Sequence, residues 1–111
     1  MTAINQLSVA LARFPFTNQI DYKIRPALII SNNRFNGANR FFWVVPITSQ
    51  NTPSEFEIEV PAAEFSGEFK TKSFIRTDKI ATMEKEMLLK EIGKITPTLF
   101  EKVKIAINKN L

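Results

Sequence analysis

The apolar residues of this chain come in short runs of strand length, broken by turn-forming residues, and only the last segment carries a helical stripe. That pattern constrains the fold most, because short apolar runs at regular spacing bury themselves by pairing into a sheet. Leu7 to Phe14 (LSVALARF) reads as a strand ended by Pro15, and a polar connection, Thr17 to Lys23, leads into Arg25 to Ser31 (RPALIIS). The second run is apolar and β-branched toward its end, as a buried strand should be. Asn32 to Asn39 contains Asn36-Gly37, a hairpin signal because both residue types tolerate positive φ. Arg40 to Ile47 (RFFWVVPI) is the next strand. Pro46 has no N–H to donate, which predicts an edge or bulge at that point.

Glu55 to Val60 (EFEIEV) alternates, with Phe56, Ile58 and Val60 on one face and three Glu on the other, the pattern of a half-buried strand. Pro61 to Thr71 is a connection holding Gly67, Ser73 to Met83 reads as one bent strand or two short ones, and Leu89 to Ile95 as another. Thr96-Pro97 starts a helix, with Thr as cap and Pro at the first position. Leu99, Val103 and Ala106, or Phe100, Val103 and Ile107, supply its apolar stripe. The expectation is a mainly β fold: one small barrel over residues 1–111, closed by a C-terminal α-helix.

The chain has 111 residues, 44% of them hydrophobic and 23% charged, which are globular values. Ten Phe point to a core, or a partner surface, built from large flat side chains. A domain this small buries a reduced share of its surface, so oligomerisation is a natural way to cover leftover apolar area. Trp43, mid-strand, is assigned to packing.

There is no Cys, which excludes disulfides, thiolate nucleophiles and cysteine metal sites. There is no His either, which removes the usual general base near neutral pH and the commonest metal ligand. Chemistry must run on Arg, Lys, Asp, Glu, Thr, Ser, Tyr or backbone, and no cofactor or metal is expected. The N-terminus has no signal-peptide pattern and no apolar run reaches the length of a membrane span, so a cytoplasmic protein is expected. The net charge of +4 and pI near 9.6 favour anionic partners such as nucleic acid.

Three segments carry candidate chemistry, each beside a plainer reading. Pro26 pushes Arg25 toward an extended conformation, where its guanidinium can hold a phosphate through two parallel donors; otherwise it is a solubilising strand-start cation. Thr48, Ser49 and Gln50 end an apolar strand with groups suited to phosphate or base edges, or they satisfy backbone groups at a turn. Arg76 and Asp78, two apart in a strand, face the same way; they pair a cation with a candidate base, or form an ordinary surface ion pair. Phe14 and Phe16 offer stacking rings for an unpaired base, or pack in a core or between copies. The lysines from Lys85 onward interleave with Glu as a solvated face, and all five Arg lie between residues 13 and 76.

Phe14 to Thr17 (FPFT), Arg25 to Ser31 (RPALIIS), Val44 to Gln50 (VVPITSQ) and Ser73 to Ile80 (SFIRTDKI), then Ile92 to Ile95 (IGKI) before a helix, follow one another in the order and spacing of the MazF/PemK toxins. The chain resembles that family over nearly its whole length from Leu7. The resemblance implies an SH3-like or CcdB-like barrel, a homodimer and the toxin of a type II toxin–antitoxin system. It implies a sequence-specific endoribonuclease that cuts single-stranded mRNA without a metal, and DNA binding in company with the antitoxin. Arg25 and Thr48 match the family's main catalytic positions, and Arg76 and Asp78 a pair implicated in some members. Phe16, Thr17, Asn18, Gln19 and Lys23 fall in the segment that shapes the RNA groove, with Ser49 and Gln50 beside Thr48. The antitoxin implied is acidic and partly disordered. The chain departs from the family in opening its first strand with Leu7-Ser8 rather than Gly-Asp, and in a loop before Arg25 without glycine. Alternatives within the same fold are a non-catalytic gyrase poison, in which a Trp-containing tail contacts gyrase, and a degenerate member that binds RNA or antitoxin without cutting. Here the tail is Asn108 to Leu111 and the only Trp is Trp43.

Overall fold

The central strands are apolar on both faces, and the chain packs a separate core on each. The structure, a computed structural model, describes residues 4–15, 21–51 and 54–111. Among these, seven strands run in chain order: β1 (Ser8–Pro15), β2 (Tyr22–Ile29), β3 (Phe41–Thr48), β4 (Glu57–Glu59), β5 (Phe74–Arg76), β6 (Ala81–Glu84) and β7 (Leu88–Lys94). Two α-helices accompany them, α1 (Asn33–Ala38) and α2 (Pro97–Asn108). The strands pair antiparallel in the order β4-β5-β3-β2-β1-β7, with β6 also beside β3.

Val9, Leu28, Val45, Ile47 and Ile75 pack with Leu99, Phe100 and Val103 of α2 in the first core. Ala12, Ala27, Ile29, Phe42, Val44 and Met83 form the second. Neighbouring residues of β2 and β3 thus serve opposite cores, which is why RPALIIS and RFFWVVPI read as nearly continuous apolar runs. The α2 start is as expected: the Thr96 hydroxyl accepts from the Leu99 N–H at 3.2 Å, and Pro97 occupies the first turn.

β3 changes partner along its length. On one side it pairs β6 through Phe41–Val44, then β5 through Ile47 and Thr48. Pro46 falls in the gap between those partners, where a missing N–H leaves no ladder bond unmade. The strand pairing does not close into a cylinder. Instead the two ends of the sheet meet at one bridge, Phe65 with Ile95, joining the segment after β4 to the residue after β7. Around it Ser66 N–H donates to Lys94 O at 2.9 Å, and Lys94 N–H to Ser66 Oγ at 2.7 Å. The barrel is therefore loose, pinned by a loop.

Three expectations are corrected. Asn36-Gly37 does not make a hairpin turn; it lies within α1. Asn32 caps that helix by accepting from Phe35 N–H at 2.8 Å, and the Asn36 amide is buried, donating to Ser31 O at 2.9 Å. Side-chain capping and burial outweigh the intrinsic turn preference of the dipeptide. Trp43 is 47% exposed rather than packed inside; on the helix-bearing face it lines an open hollow with Phe100 and Ile107 of α2, its ring 5.0 Å from that of Phe35. Glu55 to Val60 shortens to three strand residues, and its polar face is not all solvated. The Glu57 side chain is only 3% exposed, 3.6 Å from Arg76. Lys85 remains exposed, its ammonium donating to Asn36 O and lying over the Phe42 ring at 5.3 Å.

Leu7, which stands where the family usually has Gly, takes φ +81°, a conformation that glycine adopts without steric cost. Its backbone is fixed there, with Leu7 N–H donating to Ile29 O and Ile95 N–H to Leu7 O.

Candidate active site

β2 and β3 pair through Ala27 with Pro46, Leu28 with Val45 and Ile29 with Val44. Continuing that register by two residues sets Arg25 opposite Thr48, their side chains on one face of the sheet. Both line a cavity of about 210 Å³, together with Lys23, Ser49, Gln50 and Ser73. The described lining holds two cations and no carboxylate, so its field favours an anion.

Arg25 is partly buried and, among the described residues, its guanidinium has no ion pair or hydrogen bond, leaving its fork of donors available. Thr48 serves both readings of its segment. Its hydroxyl oxygen accepts from Gln50 N–H at 3.1 Å, a local turn contact that orients the side chain. An oxygen already accepting keeps its own proton to donate, the role a phosphate oxygen requires.

Arg76 and Asp78 come together, but outside that lining. The guanidinium grips the carboxylate through two bonds, Nε to Oδ1 at 3.0 Å and Nη2 to Oδ2 at 2.8 Å. This hydrogen bonding holds the Asp78 carboxyl below its ordinary range and raises the Arg76 guanidinium above its own. The candidate-base reading of Asp78 is corrected by that geometry: both carboxylate oxygens are occupied, and a lowered pKa makes a weaker proton acceptor. What Asp78 does is fix Arg76. Thr48 pairs with Phe74, so Arg76, two residues on, lies on the same face of the sheet as Thr48. Asp78 lines a separate hollow with Phe56 and Ile80. Phe14 packs against the second core, while Phe16, Thr17, Asn18 and Gln19 lie outside the described residues.

The family model of the PemK-like, MazF-like toxins of type II toxin–antitoxin systems matches residues 5–111. The chain belongs to this family. No curated protein matches this PemK-like toxin by sequence. Its fold resembles an endoribonuclease from a mycobacterial species, with TM-score 0.77 and 21% identity over 98% of this chain and 91% of that one. A mycobacterial endoribonuclease in complex with its cognate antitoxin gives TM-score 0.78 and 20% identity, covering 96% and 93%. The MazE-MazF structure (Form-III) from Deinococcus radiodurans gives TM-score 0.81 and 16% identity, covering 98% and 96%.

Ser73 is the lining residue of this MazF-like toxin that sequence reasoning missed. It is buried at the start of β5 and donates to Thr71 O at 3.1 Å. Only the β3–β5 register brings it beside Thr48, and no local motif announces a pairing across 25 residues of chain, from Thr48 to Ser73 (73 − 48). The described residues contain no helix long and apolar enough to cross a membrane.

Proposed function

We propose that this toxin is a sequence-specific endoribonuclease that cuts single-stranded mRNA, acting without a metal through a single domain. The observation that carries the reading is the cross-strand placement of Arg25 and Thr48 in a cavity with two cations and no carboxylate in its described lining. The 2′-hydroxyl oxygen attacks the adjacent phosphorus as its proton passes to water. The phosphorus–O5′ bond breaks, and the 5′ oxygen takes a proton from water, leaving a 2′,3′-cyclic phosphate and a 5′-hydroxyl. The guanidinium of Arg25 offers donors and no acceptor, so its part is electrostatic rather than that of a base. It stabilises the charge that builds on the phosphorane, and the Thr48 hydroxyl donates to the same phosphate. Lys23, Ser49 and Gln50 hold the flanking strand, joined by Phe16, Thr17, Asn18 and Gln19 of the preceding segment. Arg76, oriented by Asp78, adds a cation for the next phosphate.

An acidic, partly disordered antitoxin segment would cover the same cleft, a match to the net charge of +4. A second copy of the chain would cover the apolar face. Trp43 and Ile80, 47% and 48% exposed, line a cavity of about 530 Å³ with Ile30, Phe100, Ile107 and Leu111. An apolar hollow of that size on a domain this small is what a second copy would bury.

Purified protein incubated with a long RNA in EDTA should give discrete cuts bearing 5′-hydroxyl ends, and should sediment at twice its chain mass of 12.7 kDa. Intact RNA accompanied by inhibited gyrase would replace this reading with the gyrase poison; intact RNA that is nevertheless bound would replace it with the non-cutting binder. A fully active monomer would remove the second copy.

A further inference from the structure

The cleft does not end at Ser73. That buried residue also lines a second cavity, of about 400 Å³, at the same end of the sheet, where β4 leaves and β5 begins. Phe65 and Phe69 form one wall, their rings stacked at 4.5 Å between centroids and 13° between planes. Phe65 is buried and Phe69 only partly so, so Phe69 is the ring through which this stack meets the cavity. The wall is rigid. A Cβ on Gly67 would come within 2.1 Å of Ile92 O and 2.8 Å of Phe65 Cζ, so the loop lies directly against β7. The remaining lining holds Glu59, Glu68, Lys70 and Lys72, all exposed, and none has an ion pair or side-chain hydrogen bond among the described residues.

We infer that this second cavity is a base-binding subsite, taking one unpaired amino-bearing base (adenine, cytosine or guanine) of the RNA strand whose scissile phosphate lies at Arg25 and Thr48. The inference rests on the endoribonuclease reading and names what that site selects. A flat base extends the Phe65–Phe69 stack, and a single-stranded base has a free face to offer it. Glu59 and Glu68 accept from an exocyclic amino group, which adenine, cytosine and guanine carry and uracil lacks. Lys70 and Lys72 meet the phosphates on either side of the base, while the two carboxylates of the lining face the base itself.

The test uses fluorescein-labelled 2′-O-methyl octamers of A, C and U, whose blocked 2′ oxygen lets binding be read without cleavage. Wild-type protein should bind the A and C octamers more tightly than the U octamer. Phe69→Ala should weaken the preferred octamer about 5-fold to 150-fold, the range that loss of one base–aromatic stack gives, and Phe69→Tyr should restore it. Lys70→Ala with Lys72→Ala, on exposed side chains outside the core, should weaken every octamer and lower the salt dependence. Equal affinity for the three octamers, or wild-type affinity in both the Phe69→Ala and the lysine variants, overturns the subsite. Displacement of poly-glutamate, but of no octamer, by Phe69→Ala would make the cavity a peptide site and overturn it as well. A wild type that cuts long RNA yet binds no octamer defeats the subsite alone. One that neither cuts nor binds defeats the endoribonuclease reading with it.

Discussion

Arg25→Ala lowers RNA cleavage by at least about 10²-fold to 10³-fold, the loss that follows removal of one preorganised donor from a charge-developing site, while the melting temperature stays nearly unchanged. Both halves of this expectation come from the same geometry. The Arg25 guanidinium has no ion pair or hydrogen bond among the described residues, so truncating it strands no buried partner. Surface changes of that kind move stability by no more than about 0.5 kcal/mol. Arg25→Lys should recover little of the activity, because an ammonium keeps the charge and loses the planar fork that grips two phosphate oxygens. Cleavage assays on a single mapped site, with thermal melts of the same preparations, read both effects. Full activity in Arg25→Ala would take the residue out of the mechanism.

Gly93→Ala strikes the fold instead of the chemistry. Gly93 sits where the two ends of the sheet meet, with φ +159°. An added Cβ would lie 2.6 Å from the Gly67 backbone nitrogen and 2.6 Å from Phe65 Cε1, and the backbone of the facing loop has no free direction in which to yield. Overpacking of this kind costs about 1–3 kcal/mol or more. Backbone strain adds to it. Stability should fall by about 3 kcal/mol or more, a large share of the roughly 5–15 kcal/mol that holds a domain together. Gly37→Ala is the matched control: nothing lies within 4 Å of its added methyl, and it sits inside α1, where Ala is the better helix former. Urea unfolding should separate the two variants, with Gly37→Ala at or slightly above wild type. Wild-type stability in Gly93→Ala would mean that Phe65 and Ile95 do not pin the sheet.

Much of this architecture is legible in the residues, because it follows from local signals. Thr96-Pro97 opens α2 as caps do, and Ser73 to Met83 resolves into two short strands, β5 and β6, one of the two forms its pattern allowed. Asn36-Gly37 failed as a turn signal because Asn32 and Ser31, outside the dipeptide, decide its conformation. Trp43, assigned to packing, stays half exposed because α2 leaves an open hollow beside it, which strand periodicity does not encode. At the candidate site, the residue types of Arg25 and Thr48 were legible as phosphate-binding groups, but their placement on one face required the β2–β3 register. Asp78 shows the opposite limit. Its spacing from Arg76 told that the two would meet, yet only the bidentate geometry tells that each oxygen accepts from the guanidinium, which makes the carboxylate a weaker base.

A double-mutant cycle on Arg25 and Thr48 tests most directly whether the two hold one phosphate. Cleavage rates at a single mapped site would be measured for Arg25→Ala, Thr48→Ala and the double variant under single-turnover conditions. Residues acting on one group as a unit are strongly non-additive. The double variant should therefore cut nearly as fast as Arg25→Ala alone. Losses that simply multiply would mean that the guanidinium and the hydroxyl act independently, and would contradict a shared phosphate.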